Sequence, residues 1–237
     1  MNQRTSRSTI PGASILVLLT GLLVLAPLHA ARADDPVLGG NLEKQPKTEA
    51  EIKDRIQALT AQVRANPNNY RYHFELANWY VEAGEEEKAK ASFERALELN
   101  PKFIEALVNL GGLYSDMGQN DEAITYFQKA LALDPTDCKA RSNLGNAYYA
   151  LARYPDAMFE YRRAVDQDPK CYSALYNIAV AFADAGLFRE AVQWWEKVQR
   201  AAPGTDAARS ARENIDILKP FTQPPTPRPS GGNAKNE

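Results

Sequence analysis

An all-α fold, a solenoid of stacked antiparallel helix pairs, is what this sequence predicts, and three observations carry that reading. Prolines fall at positions 67, 101, 135, 169 and 203, always 34 residues apart. Five further columns keep the same step: Ala77, Gly111, Gly145 and Ala179; Tyr80, Tyr114, Tyr148 and Phe182; Ala89, Ala123, Ala157 and Ala191; Phe93, Phe127, Tyr161 and Trp195; Ala96, Ala130, Ala164 and Val198. Within each step the small and apolar positions keep helical spacing, broken once between the helices, by a glycine in three of the four steps, and ended by a proline. A fixed period held in phase is the signature of a repeat architecture, in which single units cannot bury both faces and must stack.

The elements follow in chain order. Arg4 and Arg7 precede an apolar run from Ile15 to Leu28, and Ala31-Arg32-Ala33 follows. These are the three parts of a secretory signal peptide over residues 1–33, with cleavage between Ala33 and Asp34. An uncleaved anchor is the other reading, since 24 residues separate Arg7 from Arg32 and could cross a bilayer. Either way the remaining chain leaves the cytoplasm, because the basic flank stays inside. No cysteine lies near the apolar run, so a lipoprotein anchor has no attachment point.

Residues 34–47 lack periodicity and read as a linker. Thr48-Glu-Ala-Glu51 is a capping-box start. Ile52, Ile56, Leu59 and Val63 then follow at helical spacing, which makes 48–67 an N-terminal capping helix. Four repeats are expected at 70–103, 104–137, 138–171 and 172–205. In the second, Leu110, Gly111 and Tyr114 lie on one helix and Gly118 stops it. Ala123, Phe127 and Ala130 lie on a second helix, and Pro135 prevents its continuation. The small residue of the first helix admits the second closely, and the aromatics fill the space between pairs. Residues 206–218, with Ile215 and Leu218 on one side, read as the polar C-terminal cap that solenoids need for solubility. Residues 219–237 hold five prolines and two glycines and read as a disordered or polyproline-like tail. Pro224 and Pro227 form a PxxP spacing within it.

The pattern resembles the tetratricopeptide repeat family over residues 70–203. Ser142-Asn-Leu-Gly-Asn-Ala-Tyr-Tyr and Asp121-Glu-Ala-Ile-Thr-Tyr-Phe-Gln-Lys-Ala-Leu carry the resemblance. It implies a right-handed superhelix. His73 and Arg141 depart from it, standing where the family often has a large apolar residue, and Ala152 replaces the interhelix glycine.

The resemblance also implies a site, because first helices in this family line a concave groove where partners bind. Here the groove-facing residues would be Arg71, Phe74, Asn78, Val108, Asn109, Lys139, Asn143, Asn146, Tyr149, Tyr176, Asn177 and Val180. Asn109, Asn143 and Asn177 are 34 apart and should form a ladder. An amide donates and accepts, so a ladder can pair with the backbone of an extended peptide whatever its side chains. Alternatively the asparagines only hydrate the groove. Chaperone-adaptor members of the family grip a C-terminal carboxylate with Lys/Arg and Asn side chains. Asn78, Asn109 and Lys139 fit that arrangement, while Phe74 and Asn143 replace its two other cations. One remaining cation argues against such a clamp, because charge-assisted bonds carry it. Glu75, Glu82, Glu105, Asp116 and Asp184 make the groove mildly acidic, which favours neutral or basic peptides.

Composition narrows the function class. Lys+Arg number 28 against 30 Asp+Glu in 237 residues. Removal of residues 1–33 leaves 25 positive and 30 negative side chains, a net charge of −5. That is not the basic excess a nucleic-acid binder needs. His29 and His73 are the only histidines and Cys138 and Cys171 the only cysteines. No catalytic residue, metal site or cofactor is therefore expected. His73 reads as a packed or surface helical residue, Trp195 as core, and Gly111-Gly112 as lying inside a helix rather than in a phosphate loop. Cys138 and Cys171, 33 apart in an exported chain, invite a disulfide. Packed helices lie about 8–10 Å apart, whereas a bridge needs Cα atoms within roughly 7 Å. A bridge and two free thiols both stay open.

The function expected is that of a non-catalytic, exported scaffold, periplasmic in kind, which binds a protein or an extended peptide in its groove. The alternatives are a self-assembling structural protein, as a homo-oligomer, or an accessory subunit of an envelope assembly or secretion machine. A membrane enters only through an uncleaved signal segment.

Overall fold

The computed structural model describes residues 48–222. The signal segment with Ala33 and Asp34, the linker and most of the Pro-rich tail lie outside the described residues. Ten helices make up the described chain: α1 (Glu49–Ala65), α2 (Tyr70–Glu82), α3 (Glu86–Leu99), α4 (Ile104–Asp116), α5 (Asn120–Leu133), α6 (Cys138–Ala150), α7 (Tyr154–Gln167), α8 (Tyr172–Asp184), α9 (Phe188–Ala201) and α10 (Asp206–Leu218). A 3₁₀ turn, Lys219–Thr222, follows α10. No strand occurs among the described residues. The architecture is the all-α solenoid expected: α2/α3, α4/α5, α6/α7 and α8/α9 pack most extensively within each pair, and each pair stacks on the next.

The helix starts have local causes. Thr48 Oγ1 accepts from the Glu51 amide at 3.2 Å, and Glu51 Oε2 accepts from the Thr48 amide at 2.8 Å, the reciprocal capping box that opens α1. Asp137 caps α6 through the Ala140 amide at 2.9 Å, and Thr205 caps α10 through the Ala208 amide at 3.2 Å. The turn inside each pair needs a left-handed residue. Gly84, Gly118 and Gly186 supply it with φ of 69°, 75° and 74°. Ala152 adopts φ 58° at the same position of the third pair, a conformation its Cβ disfavours.

The small-residue column is a steric requirement. A Cβ on Gly145 would stand 2.4 Å from the Tyr161 ring, and one on Gly111 would stand 2.7 Å from the Phe127 ring. In the second and third pairs the aromatic of the second helix therefore lies directly on the first helix's backbone. Phe93, Phe127, Tyr161 and Trp195 are all buried, and they run as a spine through the stack. Trp194 stacks on Phe182 at 6.5 Å instead. His73 accounts for its place locally: its Nε2 lies 2.8 Å from the Pro67 carbonyl oxygen at the start of α2.

Arg141 is buried within the third pair and fully engaged. It donates to Glu160 Oε2 at 2.9 Å, to Gln167 Oε1 at 2.9 Å and to the Pro135 carbonyl. α10 packs on α9 and α8 in the place a further first helix would take. It buries Ala208, Ala211 and Leu218 and leaves Ile217 outside.

Candidate peptide-binding groove

Curvature decides which helices line the groove. The first helices α4, α6 and α8 contact one another across successive pairs, whereas α3, α5, α7 and α9 show no comparable approach. The first helices thus form the inner wall of the solenoid.

Amide rungs cross this wall, with a register that differs from the 34-residue column. Asn109 Nδ2 donates to Asn78 Oδ1 at 2.8 Å, joining α4 to α2. Asn177 Nδ2 donates to Asn146 Oδ1 at 2.6 Å, joining α8 to α6. Both rungs link residues 31 apart. The same register pairs Asn143 of α6 with position 112 of α4, which is glycine. A Cβ built on Gly112 meets nothing within 4 Å. The middle rung is therefore missing, and no side-chain hydrogen-bond partner stands opposite Asn143 at Gly112.

The gap opens into a hollow of about 130 Å³. Asn78, Asn109, Lys139 and Asn143 supply its polar lining, and Val81, Val108, Leu113 and Phe93 its apolar lining, with Gly112 and Asp116 completing it. Burial pulls the Lys139 ammonium below the usual lysine range, and the nearby Asp137 carboxylate partly opposes that shift. The hollow thus offers amide donors and acceptors and one partly desolvated cation over an apolar base. That combination suits an extended polypeptide carrying one side chain into the gap.

The other expected residues divide. Tyr149 stays on the inner wall, where its hydroxyl donates to Asp184 Oδ2 at 2.6 Å. Burial first, and then the bond to Asp184, push that hydroxyl's pKa up. Asn146 also accepts from Tyr161 Oη at 2.8 Å, so its carbonyl is doubly used. Asn177 and Tyr176 do not open onto the groove as expected: both are buried. Asn177 is spent on its rung, and Tyr176 packs on Trp195 at 6.3 Å and accepts from Asn214 of α10 at 3.0 Å. The cap helix closes that end. Arg71 is exposed and donates to the Tyr70 hydroxyl at 3.2 Å. Phe74 turns onto Phe103 and Phe93, at 4.8 and 5.8 Å. Glu75 pairs with Arg55 at 3.5 Å, so part of the acidic lining is already neutralised.

Cys138 and Cys171 are joined by a disulfide with Cα atoms 5.9 Å apart. The general spacing of packed helices made this marginal. Position resolves it: Cys138 is the first residue of α6 and Cys171 is the cap residue ahead of α8, so the bridge spans helix ends rather than helix bodies. The Ser173 hydroxyl donates to Ser142 Oγ at 3.0 Å beside it.

Gly112 lies inside a helix as expected, and it also shapes the groove, a role not expected from the sequence. Its signal was the column Asn78, Gly112, Asn146, Val180, which lies one helical turn from the asparagine column. Among the described residues no cluster of three metal-ligating side chains occurs, and no helix is long and apolar enough to cross a membrane.

Three tetratricopeptide repeat family models match the chain, over residues 80–125, 112–152 and 142–206. Together they span more than half of it. No curated protein matches in sequence. Solved structures share the fold. The crystal structure of MamA superposes with a TM-score of 0.56 at 25% identity, covering 64% of this chain and 89% of that one. PilW, described as a widely conserved type IV pilus biogenesis factor, gives 0.57 at 21% identity over 73% of this chain and 89% of PilW. YrrB, described as a protein of this repeat class with an unusual peptide-binding site, gives 0.52 at 22% identity over 69% and 84%.

Proposed function

The chain belongs to the tetratricopeptide repeat family, and from that premise we propose that it is an exported, non-catalytic scaffold whose inner wall holds an extended segment of a protein partner at Asn143. The missing middle rung carries the reading. Two amides of the asparagine column are consumed by neighbours, and the third faces a glycine across an open hollow. A peptide backbone can complete that rung with both a donor and an acceptor. Lys139 and the valines beside it add one charge and apolar contact to the same point.

An arrayed library of peptides, probed with the mature chain, supplies ligands for the test. Asn143→Ala is expected to weaken the selected peptides by about 1–2 kcal/mol, the range for one lost hydrogen-bonding group. Gly112→Asn should weaken them as well, since room for the side chain exists and the new amide would close the rung. Both variants should melt with the native protein. Gly145→Leu is the control that should instead damage folding, by driving into the Tyr161 ring. Normal binding by both groove variants, with loss on charge reversal of the outer helices, would remove the site from the groove.

Export rests on two supports. The basic start, short apolar run and Ala-x-Ala site form a complete signal, and a structural disulfide persists in oxidising compartments. The exported protein should begin at Asp34. N-terminal sequencing that finds Met1 intact would favour the anchored form.

A further inference from the structure

In the C-terminal half of the solenoid, exposed apolar side chains gather along the edge where each first helix turns into its second. The residue that opens the second helix is Glu86 in α3 and Asn120 in α5, but Tyr154 in α7 and Phe188 in α9. Tyr154 is 55% exposed, and Leu187 beside Phe188 is 46% exposed. After α10 the chain folds back onto this row. Phe221 lies on Phe188 with ring centroids 6.0 Å apart, yet is itself 51% exposed. Arg189 Nε donates to the Thr222 carbonyl at 2.9 Å, fixing the last described residue at the start of α9.

We propose that the next segment of this chain, Gln223-Pro-Pro-Thr-Pro-Arg-Pro229, covers the row, running from Phe221 past Leu187 to Tyr154 as a polyproline II strand. Three observations select this occupant. The described chain ends in contact with the row. Four prolines in seven residues prepay most of the ordering entropy, and proline-rich segments dock on aromatic shelves for that reason. The reach is sufficient: seven residues at about 3.1 Å each span roughly 22 Å. Neighbouring second-helix starts are separated by one to two helix spacings of about 8–10 Å. The equivalent positions in the N-terminal half are polar, so the row stops where this reach ends. The row borders the inner wall, since Tyr154 packs edge-on against Tyr149 with ring centroids 5.0 Å apart.

The test uses the full mature chain under non-reducing conditions, with a nitroxide on Ser230→Cys. Amide signals of Tyr154, Leu187 and Phe188 should be lost to paramagnetic broadening, and those of Glu86 and Asn120, at the same positions of earlier pairs, should persist. Tyr154→Ser combined with Leu187→Ser should restore the lost signals. So should glycine at 224, 225 and 227, which alters no residue of the helical stack. Broadening spread evenly over the surface, or broadening that survives both variants, overturns the proposal. Broadening that grows with protein concentration also overturns it and assigns the row to a second copy of the chain.

Discussion

Arg141→Ala is expected to destabilise the protein by about 3–5 kcal/mol, the range for removing one partner of a buried ion pair. Few substitutions on a helix face should cost as much. The Arg141 and Glu160 side chains are 3% and 12% exposed and lie 2.9 Å apart. Alanine would leave Glu160 nearly buried without its cation, and Gln167 and the Pro135 carbonyl without their donor. It would also open a cavity between α6 and α7. The ion pair itself is a different matter, because its own desolvation cost offsets much of its attraction. Arg141→Met with Glu160→Leu should therefore lose much less than Arg141→Ala. Urea unfolding of the native chain, the single variants and the double variant measures the coupling. A loss below about 1 kcal/mol for Arg141→Ala would show that solvent reaches Glu160 easily and that the network contributes little.

The same network shows where column reading ends. The 34-residue period made the helical repeat and the fold class legible, because prolines, glycines and small residues act locally on the chain. Arg141 read only as a departure from an apolar column. Its side-chain partners, Glu160 and Gln167, lie on the other helix of its pair, and no single column contains them. The asparagines teach a related lesson. Read as one column, Asn109, Asn143 and Asn177 look equivalent. Successive first helices are staggered by about one turn, so each amide meets residue i−31 rather than i−34. Only that offset separates Asn143, facing Gly112, from the two amides already paired. Asn177 is taken up by its rung to Asn146, and Tyr176 is covered for another reason. The cap helix α10 keeps the 34-residue step after α8 but carries none of the repeat's residue columns, so the contact of its Asn214 with Tyr176 could not be read from them.

Reduction of Cys138–Cys171 is expected to lower stability by about 3–4 kcal/mol in the chain-entropy account, given a loop of 33 residues. The loss should not be spread evenly. Stability in a stacked repeat is close to a sum of unit and nearest-neighbour interface contributions. The bridge crosses one interface, between α6 and α8, and encloses the third pair. Weakening that interface should free α8, α9 and α10 as a block, while α2 to α5 keep their own core. Amide exchange should then rise first in α8 to α10 on adding a dithiol, and Cys138→Ser with Cys171→Ser should reproduce the pattern without reductant. Both thiols should resist alkylation in the native protein and react after reduction. Full alkylation without reductant would eliminate the bridge. Retained protection in α8 to α10 after reduction would instead show that the contacts of Tyr172, Leu175 and Ile178 hold the interface alone. The outcome bears on export, because a chain left in a reducing compartment would lose this cross-link, and with it the rigid spacing of α6 and α8 on which the Asn146–Asn177 rung depends.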